Sequence, residues 1–245
     1  MNKVWLVLRK ELKEIFQQRT LIFSLSVFPL IIVFLAGFVL NQAGRASKAS
    51  GSPADPQTQI AVGNLFRLYV LVEPLFIPAM IAAYSIVGEK NSHTLEPLLA
   101  TPVETWQLLL AKSLSAILPA VAATWISGGI FIGEIAIFTS QAVFSQVVTP
   151  GWLVLLLLTA PVLTLIPVSL TVMTSSRFND PRTASQIASL IFVILLLIFS
   201  SAGRSLVISP TLSLEITAIL AVLGLVLLRA ATNIFQREAI LTRWK

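Results

Sequence analysis

Six apolar stretches dominate this chain, at 21–40, 65–87, 114–138, 152–173, 187–202 and 212–228. A spanning helix needs about 20 apolar residues, at about 1.5 Å each, to cross roughly 30 Å of hydrocarbon. No water satisfies a bare amide there, so such stretches close their hydrogen bonds internally as helices. With a mean hydropathy of +0.88 and only 11% charged residues, the chain cannot cover a water-facing surface. The fifth stretch is the shortest at 16 residues and needs Ser185, Gln186 and Gly203 at the interface. The first follows 20 residues rich in charge and is itself 20 long, so it is read as a retained span and not a secretory leader. The expected fold is an all-α membrane protein with six transmembrane helices.

Basic residues orient the spans, because Lys and Arg accumulate in short cytoplasmic loops. Lys3, Arg9, Lys10, Lys13 and Arg19 precede the first span; Lys90 and Lys112, then Arg177 and Arg182, and finally Arg229, Arg237, Arg243 and Lys245 follow every second one. These are 13 of the 17 basic residues, and the alternate loops hold only Arg45, Lys48 and Arg204. Both termini are therefore expected in the cytoplasm of a multi-pass protein of the cell (plasma or inner) membrane. The net charge of +6 follows from this asymmetry and is met by lipid headgroups, with no nucleic-acid partner required.

Residues 1–20 form one unit and 21–245 the transmembrane domain. In the first, Val4, Trp5, Leu8, Leu12, Ile15 and Phe16 recur at helical spacing, whereas Lys3, Arg9, Lys10 and Lys13 lie off that stripe. The pattern predicts an amphipathic helix in the headgroup layer, stripe towards lipid and basic face towards the cytoplasm. Residues 41–59, rich in Gly, Ser, Ala and Pro, read as a flexible outer loop. The other outer loops, 139–151 and 203–211, are short, so specificity for any cargo falls to the spans. There is no internal repeat and no inverted pair of broken helices of the secondary-transporter kind.

Residues 88–112 are the polar segment with the strongest helix-start signals. Thr101-Pro102-Val103-Glu104 has capping-box spacing, with Pro102 at the first helical position, and predicts a helix running through Trp106 into the third span. Upstream, Asn91 or Ser92 can cap a short helix through Leu99 that presents Leu95, Leu98 and Leu99. A short helix, a break and a second capped helix make a stiff device able to transmit force.

At these residues the chain resembles the permease subunits of type-2 ATP-binding-cassette exporters, the sodium and drug exporter-like superfamily. The resemblance rests on Gly88-Glu89-Lys90, on the run from His93 to Val103, and on Leu108-Leu109-Leu110-Ala111-Lys112. These match a Glu-Lys/Arg start, a Gly-Thr-Leu-Glu core, a Leu-Leu-x-Thr/Ser-Pro break and a Gly-Lys ending; His93 and Ala111 stand where glycine is usual. The resemblance implies a half-transporter. Two such subunits, identical or homologous, would form the pathway, and each would dock on a cytoplasmic ATPase subunit, two copies in all, through a coupling helix. On this resemblance Glu89, His93, Thr94, Leu95, Glu96, Leu98, Leu99, Thr101 and Pro102 make the ATPase contact, assisted by Trp5, Arg9, Lys10 and Lys13 of the leading helix. ATP and Mg would belong to the partner and no cofactor to this chain, which has no Gly-x-x-x-x-Gly-Lys-Ser/Thr phosphate loop and is expected not to be an enzyme.

Two carboxylates fall within spans. Glu73 and Glu134 are candidates for a substrate pathway, since an ionisable group in a span is costly unless used. The long segment around Glu73 favours a wet position near the outer headgroups, and Gly128, Gly129 and Gly133 favour close packing beside Glu134. A channel or secondary transporter that works without an ATPase, using these two as ion or proton sites, is the alternative class. Prolines 74, 78, 119, 161 and 167 predict kinks. With no cysteine and one histidine, no metal site is expected.

Overall fold

The computed structural model describes residues 3–50, 55–91, 104–175, 180–183, 185–186, 190 and 209–234, and every regular element among them is helical. In chain order these are α1 (Lys3–Gln17), α2 (Arg19–Ser50), α3 (Pro56–Asn91), α4 (Thr105–Phe138), α5 (Gln141–Val147), α6 (Pro150–Val154), a π-helical turn (Leu155–Thr159), α7 (Ala160–Leu163), α8 (Leu165–Ser175) and α9 (Pro210–Ile234). Five helical stretches are long and apolar enough to cross a membrane: Leu21–Ala43, Pro56–Glu89, Trp106–Phe138, Pro150–Ser175 and Pro210–Ile234. The expected span at 187–202 falls almost wholly outside the described residues, as does the short helix expected at 92–99.

Helix α4 runs through the centre, packed against α3, α2 and α1, while α8 lies on α3 and carries α9 on its other side. Two apolar clusters hold the bundle. At one end Val7, Leu8 and Ile15 of α1 pack with Ile81 and Ile86 of α3, Leu108 and Leu109 of α4, and Val168 and Val172 of α8. At the other, Leu40, Phe66, Phe131, Val147, Trp152 and Leu156 close together, and the Phe131 and Trp152 rings meet edge to face at 5.9 Å. There Arg67 Nη1 donates to the Val147 carbonyl at 3.3 Å, and Trp152 Nε1 donates to the Arg67 carbonyl at 3.4 Å.

Much of α2 and α9 stays uncovered: Phe23, Ile31, Phe34 and Phe38 on α2, and Ile219, Val222, Leu225 and Val226 on α9 are exposed. Such faces are stable only against hydrocarbon or another apolar surface. Helix α9 attaches through small residues. Gly224 lies so close to α8 that an added Cβ would stand 2.9 Å from the Leu165 Cβ. Thr217 and Thr159 meet hydroxyl to hydroxyl at 2.6 Å, and Ser213 Oγ lies 2.9 Å from the Gly151 carbonyl.

Several sequence expectations shift. Residues 41–59 are not one loop: α2 continues to Ser50 and α3 begins at Pro56, capped by Asp55, whose carboxylate accepts from the Gln57 and Thr58 amides. Alanine and polar side chains there leave the backbone free to extend the helix outward. The segment after α4, expected as a short loop, contains the short helix α5, capped by Ser140. Glu104 is not the third residue of a helix begun at Thr101. It is the N-cap of α4, with its amide 3.3 Å from the Gln107 Oε1, so Gln107 fills the reciprocal role.

Candidate functional site

Helices α1, α3 and α4 meet around a buried polar cluster. Glu11 projects into it because it shares a helix face with Val7, Leu8 and Ile15, all buried. A carboxylate on such a face requires a counter-charge, and Lys112 of α4 supplies it. Lys112 Nζ donates to Glu11 Oε1 at 2.9 Å and to Ser85 Oγ at 3.0 Å, and stands 2.7 Å from Glu89 Oε2. Two of the ammonium protons thus have hydrogen-bond acceptors, and Glu89 adds a second negative charge beside them. The Ser85 hydroxyl, one turn before Glu89 on α3, donates to Glu11 Oε2 at 2.7 Å. On the rim, Lys10 Nζ lies 3.2 Å from Glu89 Oε1 and 3.3 Å from Glu14 Oε1.

The electrostatics favour the charged forms of Glu11 and Lys10. Burial by itself raises the Glu11 carboxyl, but the charge and hydrogen bond of Lys112, then Ser85 and Lys10, outweigh it and hold the group below its ordinary 4.5. Burial depresses Lys10, yet Glu89, Glu11 and Glu14 together lift it above its ordinary 10.5. Carboxylate oxygens of Glu11, Glu14 and Glu89 gather within 4.8 Å of one another. The two lysine ammonium groups lie among them and already provide the positive charge that a bound cation would bring.

Of the residues expected to contact a partner, Glu89 and Lys10 are in this cluster, whereas Arg9 and Lys13 are exposed on α1. Trp5 is exposed as well, and so is Phe16, so the expected stripe is split: its Leu8 and Ile15 pack into the bundle while its aromatics remain outside. The physical reason is Glu11, whose ion pair turns α1 so that the carboxylate faces inward. His93, Thr94, Leu95, Glu96, Leu98, Leu99, Thr101 and Pro102 lie outside the described residues. Glu11, Ser85 and Lys112 were not singled out as site residues from sequence. A carboxylate spaced three and four residues from Leu8, Val7 and Ile15 was the available signal. Because Glu89 and Lys112 form an ion pair, the two ends of the intervening segment are held together and to α1.

Further along the bundle, Glu73 is fully buried and not in a wet interfacial position as the sequence suggested, because α3 is one continuous helix from Pro56. Its Oε2 lies 2.6 Å from Ser127 Oγ on α4. Glu134 lies against Gly37 of α2, where an added Cβ would stand 2.5 Å from its Oε1. Glu73 and Glu134 thus sit at different levels, each at a contact of α4 with a different neighbour.

Comparison with known proteins agrees with this architecture. The family model described as ABC-2 family transporter protein matches residues 5–217. The chain is 36% identical over 130 residues to the probable ABC transporter permease protein NosY of Pseudomonas aeruginosa, a match covering 53% of this chain and 44% of that relative. The chain therefore spans less than half the length of that curated relative. From α1 through the start of α9 this multi-pass helical protein fits a single transporter architecture, and the chain belongs to the ABC-2 transporter family.

Proposed function

We propose that this chain is the membrane permease subunit of an ATP-driven exporter, with both termini in the cytoplasm of the cell membrane. A separate ATPase hydrolyses ATP, and two permease subunits with two ATPase copies form the working assembly. The segment 92–103 carries the coupling helix, with Leu95, Glu96, Leu98 and Leu99 against the ATPase. The observation that carries this reading is the ion pair between Glu89 and Lys112, tied through Lys112 to Glu11. It fastens both ends of the coupling segment to α1, α3 and α4, so a movement imposed on that segment is passed to two spans at once. The permease name of the curated relative and the resemblance of 88–112 to exporter permeases point the same way.

The test is co-expression with a cytoplasmic ABC ATPase subunit that co-purifies with the chain, followed by transport-linked ATP hydrolysis in membrane vesicles. Leu95→Asp and Leu98→Asp are expected to abolish stimulation of the ATPase while the permease inserts normally. Cargo flux through the chain alone, without ATP, would overturn the assignment.

A further inference from the structure

Ser127 has one hydroxyl proton and two acceptors within reach, the Thr124 carbonyl and the Glu73 carboxyl. Ser127 Oγ stands 3.0 Å from the carbonyl oxygen of Thr124 on its own helix and 2.6 Å from Glu73 Oε2. A serine hydroxyl carries one proton, and the Thr124 carbonyl can only accept. If Ser127 donates back to Thr124, in the manner usual for serine within a helix, the shorter contact needs its proton from the carboxyl.

The surroundings favour the same assignment. Glu73 is 0% exposed, its Oε1 has no hydrogen-bond partner among the described groups, and no cation there pairs with it. Arg67, on the same helix, is committed to the Val147 carbonyl. On α4, Lys112 is held by Glu11 and Glu89, and Glu134 lies two turns from Ser127 against Gly37. Helix α8 and the stretch of α2 from Leu21 to Leu40 contain no titratable side chain at all. An ionised carboxylate buried in that setting would be uncompensated, which is costly in a span. Pro74 and Pro78 lack amide protons, so the carbonyls of Val70 and Pro74 lose their helical donors and add further acceptors beside the acid.

We propose that Glu73 is a proton-binding site in the middle of the bundle, loaded in this arrangement and hydrogen-bonded as an acid to Ser127. The ligand is a proton, which fits a packed contact without a coordination shell. Separation of α3 from α4 would admit water, let the carboxyl release its proton as hydronium and leave a carboxylate. The contact re-forms when a proton returns, so the α3–α4 contact and proton binding are linked.

Infrared difference spectroscopy of the full chain in lipid, without any ATPase, tests this directly and independently of the permease reading. A carbonyl stretch of a protonated carboxylic acid is expected at neutral pH, lost in Glu73→Gln and moved in frequency by Ser127→Ala. The second variant keeps the native acid, so it answers even if Glu73→Gln fails to insert. Absence of an acid band, its persistence in Glu73→Gln, or an unmoved band in Ser127→Ala would each overturn the proposal.

Discussion

Trp125 donates its indole Nε1 to the carbonyl oxygen of Leu156 at 3.1 Å, pinning α4 to the π-helical turn between α6 and α7. A π turn widens the helix and leaves carbonyls poorly served, so an outside donor stabilises it. Trp125→Phe is expected to lower stability by about 0.5–1.5 kcal/mol, the net value of one hydrogen bond. Thermal melting in lipid nanodiscs checks this.

The cluster around Lys112 predicts a larger effect. Lys112→Met strands Glu11 and Glu89 without their shared cation, and removal of one partner from a buried pair costs about 3–5 kcal/mol. The variant is expected to insert but to become protease-sensitive in α1. Adding Glu11→Gln and Glu89→Gln should recover part of the loss, and no recovery would argue against an electrostatic cause.

The same cluster has a pH signature. Glu11 is held below its ordinary 4.5, so its contribution is present above that value and fades as pH falls through the lower, folded one. Lys10 is raised above 10.5, so its contribution is present below that value and is lost as pH rises through the higher, folded one. Attachment of α1 is expected to be flat between these limits. In Lys112→Met the acid limb should move to higher pH, read by tryptophan fluorescence of Trp5.

The attachment of α9 depends on a glycine. Gly224→Leu forces a side chain into space already taken by Leu165, and such overpacking costs about 1–3 kcal/mol. The chain has no cysteine, so a Thr159→Cys, Thr217→Cys pair gives a clean crosslinking readout. The disulfide is expected to form readily, and its yield should fall when Gly224→Leu is added.

The apolar runs at 21–40, 65–87, 114–138, 152–173 and 212–228 announced helices because hydrocarbon leaves a backbone no other choice. Helix ends were less legible. Whether α2 stops at Leu40 or reaches Ser50 depends on weak propensities among alanine and polar side chains. The cluster was half visible: Glu89 and Lys10 stand in polar stretches, but Glu11 gains its meaning only beside Lys112, far along the chain. Glu73 was misplaced for a similar reason, since its burial is set by α4 packing beside it and not by its own neighbours in sequence.

Helix α3 carries both Glu73 and Glu89, about 24 Å apart along the axis at about 1.5 Å per residue. Between them lie Pro74 and Pro78, where the ladder of backbone bonds is interrupted. A pull delivered at Glu89 therefore need not tilt the whole rod. In the proposed transporter it is expected to bend at this pair of prolines and be spent beside the acid, so that α3 works as a jointed lever.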